Sequence, residues 1–216
     1  ALVATGNGAG CKTLALVTDM DQPLAPVAGN ALEVAEVLRL LRGDATGGRL
    51  WDLTVALGGA LLAALGIAAS EEEGAVKIAG AMTSGEAAER FGRMVAAQGG
   101  PPDVIEEGLQ RLPEAPVVVE VLAGETGHVA AIDTRALGEA VVHLGGGRLR
   151  EDDVLDLSVG LSDLVAKGVT VDAKTPLARV HAASEEAAAR AVETVKAAYT
   201  IGEASEAWAL VLERVG

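Results

Sequence analysis

The sequence predicts an α/β fold over residues 1–113, followed by an α+β region over residues 114–216 with a sandwich-like β element. Three observations carry this. Lys12 to Thr18 (KTLALVT) is a continuous apolar run of strand length, the pattern of a parallel-type strand buried on both faces. Stretches with helical apolar stripes dominate the rest of the first part. Beyond Pro113 the texture turns β-branched, and short strand-like runs multiply.

Taken in order, residues 1–5 form the tail of a helix, closed by Gly6-Asn7-Gly8-Ala9-Gly10. The strand over Lys12–Thr18 ends in Asp19-Met20-Asp21-Gln22-Pro23, an acid-and-turn sequence. Ala28-Gly29-Asn30 then opens a helix that runs to Arg42 and stops at Gly43. A loop over 44–49 leads to a long apolar helix over Leu50–Ala69. Ser70 with Glu73 three residues on is a capping box. Ser84 to Gln98 is an amphipathic helix stopped by Gly99-Gly100-Pro101-Pro102.

In the second part, Val117–Leu122, Gly127–Ile132 and Pro176–Ala182 read as strands. Thr134–Leu144 reads as a helix ended by Gly145-Gly146-Gly147, and Ser184–Tyr199 as an Ala-rich helix capped by Ser184. Residues 158–168 are mixed. Residues 206–215 form a strand or a helix, with Trp208 packed. No internal repeat is evident.

Composition bounds function. Half of the 216 residues are hydrophobic but only 2% are aromatic, so the core is built from Ala, Val and Leu. The net charge of −14 argues against nucleic acid, which needs clustered Lys and Arg. A single cysteine, Cys11, rules out a disulfide within the chain and fits a reducing cytoplasm. Its place beside the apolar run predicts a small buried hydrophobe. The Ala-rich stretch from Thr54 to Ser70 is shorter than the ~18–20 residues of a membrane span and is interrupted by Gly58, Gly59 and Gly66. No membrane partner is expected. Residue 1 lies inside a helix-like run without an initiator Met, so a cut or processed chain is expected.

Several motifs invite chemistry. The glycines at 6, 8 and 10 lie in the order helix, glycine, strand. A phosphate loop needs strand, glycine, helix, so a helix end and turn fit better. Asp19 and Asp21 flank Met20 where ligands gather in open α/β sheets, either to hold a metal or hydroxyl or simply to bond turn N–H groups. His128, His143 and His181 have no spaced partners. The stretch around Lys174 has the rhythm of a biotinyl-type carrier hairpin, but Thr175-Pro176 follows the lysine, so only the β architecture is shared.

LALVTDMDQPLA, AGNALEV, SGEAAERFGRMVAAQGGP, DTRALGEAVVHLGGGR and LDLSVG occur in register along the chain. Together they resemble the thymidine phosphorylase family, within the wider pyrimidine-nucleoside phosphorylases. The resemblance implies that residues 1–113 are the C-terminal part of the nucleoside phosphorylase α/β domain, and 114–216 the family's α+β C-terminal domain. It implies reversible phosphorolysis of thymidine to thymine and 2-deoxyribose 1-phosphate in nucleoside salvage, with phosphate as co-substrate. A broader enzyme that also takes uridine is one alternative. A non-catalytic scaffold half that needs a partner chain is another. The family's phosphate loop and base-holding residues have no counterpart in this sequence and are expected before residue 1, so the chain alone is expected to be inactive.

The resemblance further implies that Asp19 and Met20 wall the nucleoside cleft. It also implies a residual cation site for potassium or calcium, made of the Leu24 and Val27 carbonyls and the Glu36 side chain. The whole enzyme is expected to be a homodimer. This chain, with an exposed edge or apolar face, is expected to self-associate.

Overall fold

The computed structural model describes residues 1–44, 46–204 and 209–216. The chain forms two compact units whose segments alternate in sequence. Unit 1 contains residues 1–19, 39–105 and 208–216; unit 2 contains 20–38 and 106–207. The sequence reading cuts the chain once, near 113. By compactness, residues 20–38 group with 106–207 and the last residues with the first segment.

Unit 1 opens with α1 (Leu2–Gly8) and β1 (Ala15–Thr18). Helix α2 (Asn30–Leu41) begins in unit 2 and ends in unit 1. It is followed by α3 (Arg49–Ala64), α4 (Glu71–Thr83) and α5 (Glu86–Ala97). The capping box forms as expected: Ser70 Oγ accepts from Glu73 N at 3.2 Å, and Glu73 Oε2 accepts from Ala69 N at 2.9 Å. Helices α3 and α4 meet at two glycines. A Cβ on Gly59 would lie 2.6 Å from the Glu71 carbonyl oxygen, and one on Gly74 would lie 2.5 Å from the Gly59 carbonyl oxygen. Only hydrogen atoms fit there.

Two expectations fail in this unit. Strand β1 is neither parallel nor buried on both faces. It has four residues, pairs antiparallel with β8 (Val211–Val215) in a two-stranded sheet, and leaves Val17 44% exposed. Its faces lack packed layers that would seal them, and a neighbouring strand covers only an edge. Cys11 is exposed rather than buried. It sits in the turn after α1, where its N–H bonds Gly6 O, and the packed part of the run starts only further on. The expected packing of Trp208 lies outside the described residues, and β8 settles the end of the chain as strand.

Unit 2 adds α6 (Val104–Arg111), begun within unit 1, then β2 (Val117–Leu122), β3 (Gly127–Ile132) and α7 (Thr134–Val141). A π-helical turn over Val142–Gly146 extends α7 and ends where Gly145 takes a positive φ of 103°. The chain continues through β4 (Gly160–Ser162), β5 (Thr170–Val171), β6 (Pro176–Ala182), α8 (Glu185–Ala198) and β7 (Tyr199–Gly202). The strands form two antiparallel three-stranded sheets, ordered β2-β6-β4 and β5-β3-β7. Alternate residues of both sheets feed one core with α7 and α8: Val121, Val129, Leu161, Leu177, Val180 and Val195 are all but sealed from solvent. This is the mixed α/β architecture the sequence predicts, with its sandwich-like element in the second part.

Candidate functional site

The acidic strand end lies at a unit boundary. Asp19 closes β1 within unit 1, and its N–H bonds Leu210 O at 3.0 Å. Its side chain is almost fully buried and forms a 3.0 Å ion pair with Arg49 Nη2, which also donates to Asp19 O at 3.2 Å. Burying a carboxylate demands such a partner. Sequence reasoning did not single out Arg49. The signal available was its place as first residue of a helix, just after Gly47 and Gly48.

The next residues belong to unit 2 and are tied to it by hydrogen bonds. Met20 O accepts from Thr134 Oγ1 at 3.2 Å. Gln22 Oε1 accepts from Lys167 N at 3.2 Å, and Pro26 O from Leu164 N at 3.0 Å. Ala28 and Leu161 exchange both backbone bonds, at 2.9 and 2.7 Å. Asn30 Nδ2 donates to Gly146 O at 2.9 Å. This crossing depends on a glycine pair. A Cβ on Gly29 would lie 2.6 Å from Val159 O, and one on Gly160 would lie 2.3 Å from Ala28 O. Gly29 also takes a φ of 134°, open to glycine alone at little cost.

The expected site residues therefore divide. Asp19 is buried and ion-paired in unit 1, whereas Met20 is 76% exposed in unit 2. Leu24 is exposed, while Val27 and the α2 residue Glu36 are half-buried, all in unit 2. Val27 lies between Pro26 and Ala28, whose carbonyls are both taken by N–H groups of residues 161–164. Glu33, on the same helix, is not a bare surface charge: its Oε1 accepts from Gly29 N at 3.0 Å, a cap on α2. Beside it a shallow cavity of about 260 Å³ is lined by Gly29, Asn30, Glu33, Gly138 and Gly146. Among the described residues no three His, Cys, Asp or Glu side chains gather as metal ligands. The expected cation set is of a different kind, two carbonyls and one carboxylate.

His181 Nε2 lies 2.8 Å from Ser162 Oγ, and His128 Nδ1 lies 3.2 Å from Thr170 Oγ1. Desolvation holds the His181 imidazole below its ordinary value, against the opposing pull of Asp163. His143 lines a cavity of about 390 Å³, with Arg190 and Thr194 over an Ala140, Leu144 and Ala191 floor. Arg190 there is paired with Glu186 at 2.5 Å. Lys174 sits in a tight turn between β5 and β6, strands of different sheets, where Asp172 Oδ1 accepts from its N–H at 2.8 Å.

Two family profiles match this chain. "Glycosyl transferase family, a/b domain" covers residues 1–88, and "Pyrimidine nucleoside phosphorylase C-terminal domain" covers residues 128–202. The chain is 49% identical over 214 residues to a thymidine phosphorylase of Burkholderia cenocepacia, a match covering 99% of this chain. It is equally similar to one of Burkholderia orbicola, and 48% identical over 215 residues to one of Burkholderia lata. The C-terminal profile and these relatives liken the chain to the pyrimidine-nucleoside phosphorylases, and to thymidine phosphorylases among them. The likeness to thymidine phosphorylases runs the length of the chain. The chain spans about half the length of these relatives, 49% in each case. No helix among the described residues is long and apolar enough to cross a membrane.

Proposed function

We propose that this chain is part of a thymidine phosphorylase that works in nucleoside salvage. The observation that carries the reading is the 49% identity sustained over 214 residues to proteins of that name. In the proposed reaction a phosphate oxygen bonds to C1′ of the deoxyribose as the bond from C1′ to the base nitrogen breaks. The base leaves with that electron pair and takes up a proton, and 2-deoxyribose 1-phosphate forms. Such a transition state is favoured by holding phosphate and sugar in line and by stabilising the departing base.

The chain's own contribution is positional in this reading. Asp19, fixed by Arg49, and Met20, fixed through its carbonyl by Thr134, form wall rather than reacting groups. The Val27 and Leu24 carbonyls and the Glu36 side chain would together hold a hard cation such as potassium or calcium. Residues 1–113 and 114–216 would be the inherited domains. The whole enzyme would be a homodimer in the cytoplasm, where its free thiol is at home.

Purified chain mixed with thymidine and phosphate is expected to release no thymine above blank. Turnover by the chain alone would overturn the claim that its reacting groups lie in the other half of the relatives. A pyrimidine-nucleoside phosphorylase that also takes uridine is the second reading, because the C-terminal profile is named for pyrimidine nucleosides in general. Comparing kcat/KM for thymidine and uridine in the complete enzyme separates the two.

A further inference from the structure

The cavity of about 390 Å³ that His143 lines lies between α8 and the end of α7, wholly within unit 2. Its floor is apolar: Ala140, Leu144 and Ala191 are 2%, 7% and 6% exposed. Two of the three are alanines, whose short side chains leave the space open. The rim is polar and comes from both sides, His143 from the π-helical turn and Arg190 and Thr194 from α8. Helical turns of that wider kind are rare and gather at functional sites. This one sets His143 at the rim and the next residue, Leu144, on the floor. Although the chain carries a net charge of −14, no carboxylate lines the cavity among the described residues. An apolar hollow with a few convergent polar groups is the general form of a small-molecule site.

The polar groups decide the charge of the occupant. Arg190 Nη1 is engaged by Glu186, one turn earlier on α8. That pair stands 65% and 85% exposed, so water screens it and it competes weakly with a ligand. It also leaves Arg190 Nη2 and Nε as donors. Thr194 Oγ1 is turned to its own helix, donating to Arg190 O at 3.2 Å. His143 is exposed and offers a ring N–H. The rim therefore presents donors from a guanidinium and an imidazole, a set that suits a carboxylate or phosphate. We infer that the α7–α8 cavity binds a small organic anion. Its carboxylate or phosphate head is held by Arg190 and His143, and an apolar body of about one ring rests on Ala140, Leu144 and Ala191. The inference does not depend on the function proposed above.

The test is calorimetric titration of the full chain with five probes: benzoate, phenyl phosphate, acetate, methyl phosphate and benzyl alcohol. Benzoate or phenyl phosphate should bind with a Kd of about 1 mM. Acetate and methyl phosphate lack the body and benzyl alcohol lacks the charge, so each should bind about tenfold more weakly or not at all. Arg190→Gln should weaken the better probe about tenfold or more, and His143→Gln about threefold. Arg135→Gln removes the same charge from α7 at an 87% exposed position outside the cavity, and should change nothing. Circular dichroism melts of all three variants should match the natural chain, because the replaced side chains are exposed. Binding of benzoate alone, or of phenyl phosphate alone, upholds the site and fixes its head group. Four results would each overturn the inference: no binding of either ring probe at about 10 mM, equal binding of a probe without body or charge, indifference to Arg190→Gln, or an equal loss in Arg135→Gln.

Discussion

Leu161, in β4, has none of its surface exposed, whereas Leu61, in α3, has 57%. The contrast holds for the units that contain them. In unit 2, two sheets and two helices close over a continuous core that runs from Val121 to Tyr199. In unit 1, the buried apolar side chains are few and mostly small: Ala60, Ala68 and Ala88 with Leu40, Met82 and Val104. Its larger side chains, Leu57, Leu61, Leu65, Ile67 and Val76, face outward. Both units come from similarly apolar sequence. Composition alone therefore does not make a core. What differs is whether the chain supplies a second layer for each apolar face.

The sharpest way to break this comparison is at Leu161. Leu161→Ala should destabilise unit 2 by about 3 kcal/mol, read by denaturant unfolding, because a sealed site cannot collapse around the lost methyls. A loss near zero would mean that the unit 2 core is loose. In unit 1 the largest single effect should come from Arg49→Met. It leaves the Asp19 carboxylate buried without its guanidinium and should cost about 2 to 3 kcal/mol, followed through the fluorescence of nearby Trp51. Ser70→Ala should cost about 1 kcal/mol by removing the α4 cap, with Ser70→Asp restoring most of it.

A pH test sharpens unit 2 further. His181 is held below its ordinary value of 6.5 by desolvation, so the folded state binds fewer protons there than the unfolded chain. Its contribution is full above 6.5 and is lost as pH falls toward the folded value. The unfolding midpoint should therefore drop on acidification below that point, and the drop should be shallower in His181→Gln. A steeper drop in the variant would contradict the assignment. The smallest effect belongs to unit 1: Leu61→Ser should move stability by no more than about 0.5 kcal/mol, since little is buried at that position.

Much of this was legible in the sequence, and the failures have physical causes. β2, β3 and β6 follow their β-branched runs, and the caps at Ser70 and Ser184 sit where serine precedes a helical stripe. Tyr199 was read as the end of a helix, but Thr200 and Ile201 after it are β-branched and carry it into β7. Helix α6 was hidden behind Gly99-Gly100-Pro101-Pro102, though Val104, Ile105 and Leu109 share a helical face. β1 was misread because an apolar run reports what a strand is suited to meet, not which partner it meets. At the site, the buried Asp19 needed a cation that lies 30 residues on in the chain, and no local pattern points to Arg49. The staple of residues 20–29 onto unit 2 was likewise invisible, because Gly29 and Gly160 are 131 positions apart and each alone reads as a turn.

Native-state hydrogen exchange of the isolated chain compares the two units most directly. The amides of β6, from Leu177 to Ala182, should exchange only through global opening of unit 2, while those of β1, from Ala15 to Thr18, should exchange orders of magnitude faster. Equal protection in β1 and β6 would contradict the account, because it would show that unit 1 is already closed without a partner.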